Sequence, residues 1–167
     1  MKDKLTESDI KKMEEEIEYR RVTLRPQLLE HVKIARAHGD LSENFEYKAA
    51  KQEKNRNESR IRYLERMIRS AVVIDDSSKD DEVGINNTVT VVFDGEDEEE
   101  KYKIVTTVRS DSLRGLISIE SPLGKALLRR KKGDRVHVVV DENTSYYVTI
   151  VEIDKTTDDS EDKLRSY

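Results

Sequence analysis

The chain has 167 residues, 40% of them charged and only 5% aromatic, with no Trp, two Phe and a net charge of −5. That length allows one or two domains, and so few aromatics leave a modest core of Val, Ile and Leu, buried along a long two-helix seam or under a small sheet. The lack of Cys excludes disulfide frameworks, thiolate zinc sites and cysteine nucleophiles, and neither a secretory leader nor an apolar run of about 20 residues is present, so a cytoplasmic chain is expected.

Thr6-Glu7-Ser8-Asp9 has the hydroxyl-x-x-acid spacing of a capping box, and Ile10, Met13, Ile17, Leu24 and Leu28 follow at mostly helical steps. The predicted helix runs through Val32 and Ala35 to Gly39, a rod of roughly 45 Å. Pro26 lies inside it and predicts a kink or phase change near the preceding turn. A second helix is predicted from near Asp40 to about Ser70, with Ala50, Asn57, Ile61, Leu64, Ile68 and Ala71 on one face. Together they make an antiparallel coiled-coil hairpin over residues 1–75. Its seam is apolar at the base, near Ile10 to Ile17, and thins to Ala49, Ala50 and polar residues at the tip.

Residues 76–87 are polar and without periodicity, which predicts a linker. The period then changes to two. Thr88 to Phe93, Tyr102 to Thr107, Gly115 to Ile119, Arg135 to Val140 and Tyr146 to Ile153 read as short strands. Ser121-Pro122-Leu123-Gly124 starts one short helix, with Ser121 as cap and Pro122 at the first position. Residues 88–153 are thus expected to form a small antiparallel sheet with a helix, and 154–167 a disordered tail. The fold class is α+β.

Charge is shared unevenly: residues 1–75 hold 17 Lys/Arg against 15 Asp/Glu, and residues 76–167 hold 14 against 21. That balance argues against tight nonspecific duplex binding and leaves room for a local basic stripe. On the second helix Lys48, Lys51, Arg62, Arg66 and Arg69 fall within about a 60° arc opposite the seam. A solvated face explains them, because Glu58 with Arg62 and Glu65 with Arg69 are spaced for i,i+4 pairs; a contact surface explains them too. Asp94 to Glu100 reads as a solvated hairpin loop, and His31, His38 and His137 are too scattered for a metal cluster.

The break between the helices, Ala35-Arg36-Ala37-His38-Gly39-Asp40-Leu41-Ser42-Glu43-Asn44-Phe45-Glu46-Tyr47, concentrates the chemistry. Asp40 and Glu43 fit a second capping box, in which both carboxylates serve backbone amides. They also fit a pair of outward carboxylates that holds a hard cation such as Mg²⁺ jointly with a partner's acids, since two carboxylates alone bind that ion weakly.

The tip run from Arg36 to Asn44, with Glu46-Tyr47 and Ala49-Ala50, resembles the tip signature of the bacterial transcript-cleavage factors, the GreA/GreB family. Leu24-Arg25-Pro26, Val73-Ile74-Asp75, Ile117-Ser118, Ser121-Pro122-Leu123-Gly124 and Gly133-Asp134 extend the likeness in order and spacing from about Leu5 to Ile153, closer to GreA. The resemblance implies a hairpin finger and an FKBP-like second domain, and a partner in bacterial RNA polymerase. The finger enters the secondary channel, and the tip acids stimulate Mg²⁺-dependent cleavage of backtracked nascent RNA by the polymerase's own centre. Asp40 and Glu43 would then be the acids acting in trans, sharing Mg²⁺ with the polymerase, which is the only cofactor implied. Leu41, Ser42, Asn44 and Tyr47 would support the tip, while Lys48, Lys51, Arg62, Arg66 and Arg69 would meet the nascent RNA 3′ end or polymerase. Ser121 and Pro122 would dock at the channel rim. The protein would be a monomer and no enzyme by itself. Phe45, Arg129-Arg130 in place of a usual Gly-Lys, and the long tail depart from the family pattern.

Three other readings stand beside this one. A channel binder of the same family that modulates polymerase without cleavage has the same outline. A prolyl isomerase would need an apolar, aromatic pocket, for which the chain beyond residue 75 offers only Phe93, Tyr102, Tyr146, Tyr147 and Tyr167. A freestanding nuclease conflicts with the sparse metal ligation.

Overall fold

Thr6 and Asp9 cap the first helix reciprocally: the Thr6 N–H donates to Asp9 Oδ2 at 2.9 Å and the Asp9 N–H to Thr6 Oγ1 at 3.2 Å. The computed structural model describes residues 2–39, 44–155 and 158–166. The chain divides into two units, Met1–Asp3 with Ile10–Val72, and Lys4–Asp9 with Val73–Tyr167. Among the described residues no helix is long and apolar enough to cross a membrane.

The first unit is the hairpin. Helix α1 (Glu7–Glu18) passes into a π-helical stretch, Tyr19–Leu24, and then into α2 (Arg25–Arg36). The expected disturbance near Pro26 is therefore a widened turn just before it. Pro26 has no N–H to give the carbonyl of Val22, and its ring crowds that carbonyl in a regular helix. The widened turn carries the bonding from the Arg25 N–H to the Arg20 carbonyl instead. Helix α3 (Phe45–Ser70) runs back along this composite rod and is followed at once by the short strand β2 (Val72–Val73). It starts later than expected, because Asn44 and not Asp40 is its cap.

Met13, Ile17, Leu28 and Ala35 of the first rod are buried, as are Ile61 and Leu64 of α3. Each such Leu or Ile contributes roughly 1.5–3 kcal/mol of burial. The seam does not simply thin toward the tip. Asn57 and Arg60 are also buried, 2% and 5% exposed, and build a polar layer. Arg20 Nε and Arg60 Nε both donate to Glu16 Oε2, at 2.8 and 2.7 Å. Asn57 donates to the Arg20 carbonyl at 3.1 Å and accepts from Arg20 Nη1 at 3.0 Å. One amide thus meets both the backbone and the side chain of a π-helical residue, which ties the register of α3 to the widened turn.

The second unit is a five-stranded sheet: β3 (Thr88–Phe93), β4 (Glu99–Val105), β5 (Leu116–Ser118), β6 (Arg135–Val139) and β7 (Ser145–Asp154), in spatial order β5-β4-β3-β7-β6. All pairings are antiparallel except β4 with β5, which is parallel and corrects the expected all-antiparallel sheet. The connection between these two strands holds two 3₁₀ turns, Thr107–Arg109 and Ser112–Arg114, enough chain to return β5 alongside β4 in the same direction. A register shift between Thr90 and Val91 marks a bulge against β7. Val89, Val91, Ile104, Val136, Val138, Val148 and Ile150 point into one core with Leu127 of helix α4 (Pro122–Leu127).

Residues 76–87 are no linker. Val83 and Ile85 join that core, and Asn86 and Asn87 are buried beside them. The segment folds because its polar groups are answered: the Gly84 N–H donates to Asn87 Oδ1 at 2.7 Å, and the Lys155 ammonium reaches Ser78 Oγ and the carbonyls of Lys79 and Glu82 at 2.7, 2.8 and 2.7 Å. The short strand β1 (Lys4–Leu5) also belongs here, with the Ile74 N–H donating to the Leu5 carbonyl at 2.9 Å.

The described part of the tail is seated as well. Asp162 is 7% exposed, and the Arg165 N–H donates to the Val108 carbonyl at 2.7 Å. The expected disorder of 154–167 is corrected for residues 158–166.

Candidate functional site

Four of the residues singled out at the tip, Asp40, Leu41, Ser42 and Glu43, lie outside the described residues. The frame on either side is described. Asn44 Nδ2 donates to the Ala35 carbonyl at 2.6 Å, while its Oδ1 accepts from the Tyr47 N–H at 3.0 Å. A single side chain therefore adds a second donor to a carbonyl at the end of α2, which also accepts from the His38 N–H at 3.2 Å, and answers an orphan amide at the start of α3. Gly39 has φ +143°, a conformation that a side chain would strain. The hairpin is thereby clipped where the acid-bearing residues depart.

Arg36 crosses this clip. Its guanidinium carbon lies 5.4 Å from the Tyr47 ring centroid, and its Nη2 donates to the Tyr47 hydroxyl at 3.4 Å. That hydrogen bond holds the Tyr47 phenol below its ordinary pKa, with Lys51 adding to the effect. His38 Nδ1 is 3.2 Å from Glu46 Oε2. Phe45 is 77% exposed, and the Lys48 ammonium sits 5.5 Å from its ring centroid. The departure at position 45 thus leaves the seam untouched and puts an aromatic surface beside a basic group.

All five residues of the basic stripe are exposed on α3. Arg62 donates to Ser59 Oγ at 3.1 Å, and Arg66 lies 5.9 Å from the Tyr63 ring centroid. The expected i,i+4 carboxylates are engaged elsewhere. Glu58 makes a two-pronged pair with Arg25 at 2.7 and 2.8 Å, and Glu65 pairs with Arg21. The Arg25 hydrogen bonds hold the Glu58 carboxyl below the usual carboxylate range. Cross-hairpin geometry prevails because a bidentate guanidinium–carboxylate fork fixes both planes, whereas an i,i+4 pair is worth only about 0.3–0.5 kcal/mol.

In the second unit Ser121 caps α4: its hydroxyl donates to the Ser118 carbonyl at 2.6 Å and accepts from the Gly124 N–H at 3.1 Å. Pro122 follows, exposed at the first helical position. The Ser121 proton is committed inward, so this corner offers shape and backbone rather than a free hydroxyl. His137 stacks on Tyr147 at 4.5 Å between centroids, with Arg135 on the same ring at 3.8 Å. The aromatics singled out for an isomerase pocket are partly dispersed: Phe93 and Tyr146 pack against the core while Tyr147 is on the surface.

The reading from sequence missed one cluster. Arg109 is fully buried, with Nε donating to Asp9 Oδ1 at 2.6 Å and Nη1 donating to Asn86 Oδ1 at 2.7 Å and Asp162 Oδ2 at 2.8 Å. Thr106 Oγ1 donates to Asp9 Oδ2 at 2.7 Å, and Lys103 Nζ to Asp162 Oδ2 at 3.0 Å. Asp9 was legible as a capping acid. Nothing in its spacing signals a second partner 100 residues away. Among the described residues no group of three or more His, Cys, Asp and Glu is placed to hold a metal.

Two family models match the chain, one described as transcription elongation factor, N-terminal, over residues 4–73, and one as transcription elongation factor, GreA/GreB, C-terminal, over residues 77–155. Transcription elongation factor GreA of Macrococcus caseolyticus is 44% identical over 149 residues, covering 89% of this chain and 94% of that protein. GreA of Streptococcus gordonii is 44% identical over 153 residues, covering 91% and 95%. A crystal structure of GreA factor homolog 1 from Thermus thermophilus is similar at 25% identity, over 92% of this chain and 99% of that one, with a TM-score of 0.42.

Proposed function

The chain belongs to the GreA/GreB family of transcription elongation factors, and from that premise we propose that it binds bacterial RNA polymerase and stimulates cleavage of backtracked nascent RNA. The hairpin enters the secondary channel, and Asp40 and Glu43 act in trans at the polymerase centre. The observation that carries this reading is the Asn44 clip. A helix start needs one cap, and α3 has it in Asn44. The rival role of Asp40 and Glu43 as the capping box of α3 is therefore filled by another residue, which supports the reading of the two acids as groups for a partner.

Two carboxylates suit Mg²⁺ by donor chemistry and are too few to retain it alone, so the ion is shared with polymerase acids. When bound, a second Mg²⁺ supplies charge stabilisation for the attacking and leaving oxygens of an in-line phosphoryl displacement. The chain's own part is positional. Asn44 and the Arg36–Tyr47 stack hold the residues on either side of the acid-bearing segment. Lys48 and Lys51, next along α3, attract the RNA 3′ segment, and Arg62, Arg66 and Arg69 continue the stripe toward the base of the hairpin. Ser121 and Pro122 present the second unit to the channel rim. The protein has no catalytic centre of its own, and the bond is cut by the polymerase.

The test is cleavage in stalled elongation complexes. Asp40→Asn and Glu43→Gln are each expected to lower stimulated cleavage by about a hundredfold or more while polymerase binding persists. Cleavage at the wild-type rate by both variants would falsify the proposal. Slowed synthesis with an uncut transcript from the wild-type protein would identify a non-cleaving channel binder instead.

A further inference from the structure

A groove of about 870 Å³ opens in the second unit, with one wall from the middle of that unit's sequence and the other from its tail. One wall is the connection Arg109–Leu116 with Ile117, Ser118 and Ser121; the other is the tail, Lys163–Ser166. The tail is held there by its backbone and by a buried charge. The Arg165 N–H donates to the Val108 carbonyl at 2.7 Å, and Asp162 pairs with Arg109, which is fully buried. The family match ends at residue 155, so this wall is a feature of this chain beyond the matched segment.

We propose that residues 158–166 form a built wall of a docking groove, and that the groove takes an acidic polypeptide segment of the polymerase bearing an apolar side chain. The inference deepens the docking part of the proposed function and rests on it. With residues 158–166 seated the groove remains open, so this described part of the tail shapes the site and does not plug it. Among the described residues Arg114 and Lys163 line it with Asp111 as the one lining carboxylate, a local inversion of sign in a region with 14 basic and 21 acidic residues. Basic walls in an acidic unit select an acidic partner segment and accelerate its encounter. Leu113, 98% exposed, and Leu164 on the facing wall add an apolar grip. A nucleic-acid backbone fits less well, because its contacts run through phosphate and sugar and gain little from the leucines. Arg109 touches no partner in this scheme. It positions the tail through Asp162.

The experiment is titration of the full-length chain with purified bacterial RNA polymerase, read by fluorescence anisotropy. Arg114→Glu with Lys163→Glu, both on exposed residues, is expected to weaken binding about tenfold or more and to flatten its salt dependence. Removal of residues 158–167 is expected to weaken binding similarly. Should that truncation unfold the unit, the charge reversal, checked by an unchanged thermal melt, decides alone. Unaltered polymerase affinity in the charge-reversed protein overturns the groove while the wild-type complex and its cleavage leave the proposed function standing. A wild-type chain that fails to bind polymerase overturns both. Binding of a labelled single-stranded RNA that is lost on the same charge reversal, with polymerase affinity retained, assigns the groove to nucleic acid and overturns the polypeptide partner.

Discussion

Both units bury an arginine, and the two burials do different work. In the hairpin, Arg60 meets the carboxylate of Glu16, whose side chain is still 23% exposed, and Asn57 and Arg20 complete a layer open to water at its edge. In the sheet unit Arg109 sits between two carboxylates with no exposure, joining the start of the chain at Asp9 to its end at Asp162. The open layer sets the register of α3 against the widened turn of the first rod, and so the reach of the tip. The sealed cluster holds distant segments together and thereby shapes a surface. A charge at the edge of water costs little to keep, whereas a sealed charge is tolerated only when nearly every donor is answered. Arg109 Nη2 has no hydrogen-bond partner among the described residues, so even here the answer is incomplete.

Breaking the sealed cluster is expected to have the larger effect. Arg109→Met strips the buried Asp9 and Asp162 of the guanidinium they share and should cost about 3–5 kcal/mol, measured by chemical denaturation of the second unit. A loss below about 1 kcal/mol, the value of an exposed pair, would erase the contrast between the units. Next comes packing. A Cβ on Gly124 would lie 2.0 Å from the Ser118 carbonyl oxygen, so Gly124→Ala must push α4 off β5. About 2 kcal/mol of lost stability is expected, read as a lower melting temperature with the helical signal of the hairpin retained.

The open layer is best probed with acid. Burial alone would raise the Glu16 carboxyl above its ordinary 4.5, but the Arg60 and Arg20 guanidiniums outweigh it and hold the group lower. Its folded pKa lies below its unfolded one, so its contribution is full above about pH 4.5 and is lost as pH falls through the folded value. Glu16→Gln should flatten the acid limb of a hairpin stability profile; an unchanged limb would place the titration elsewhere. The smallest expected effect is a gain. Arg129 has φ +68°, a left-handed conformation that glycine adopts without strain. Arg129→Gly should stabilise the second unit by about 0.5 kcal/mol, the relief of strain being partly offset by a freer unfolded chain. The departure noted in the sequence at Arg129 is therefore a small destabilisation at a glycine position.

Strands were the most legible elements. Thr88–Phe93 agrees at both ends with its expected span, because alternation of β-branched residues reports directly on a sheet with one buried face. Residues 76–87 were the least legible. Their acids and amides look solvated in sequence, yet Asn87 and Lys155 answer the polar groups and let Val83 and Ile85 reach the core. The helix start was misplaced for a related reason. Asp40 and Asn44 are both good caps on paper, and only the approach of the Ala35 carbonyl selects Asn44.

The chain alone determined the α+β order of elements, the hairpin and the short capped helix, because periodicity, capping and turn chemistry act over a few residues. Tertiary structure alone decided which carboxylate each arginine meets, where the π-helical turn is stitched to α3, and that residues 158–166 are seated instead of fraying. Those choices depend on groups separated by tens of residues, and the spacing of charges along a chain does not say which of them will be brought together and deprived of water.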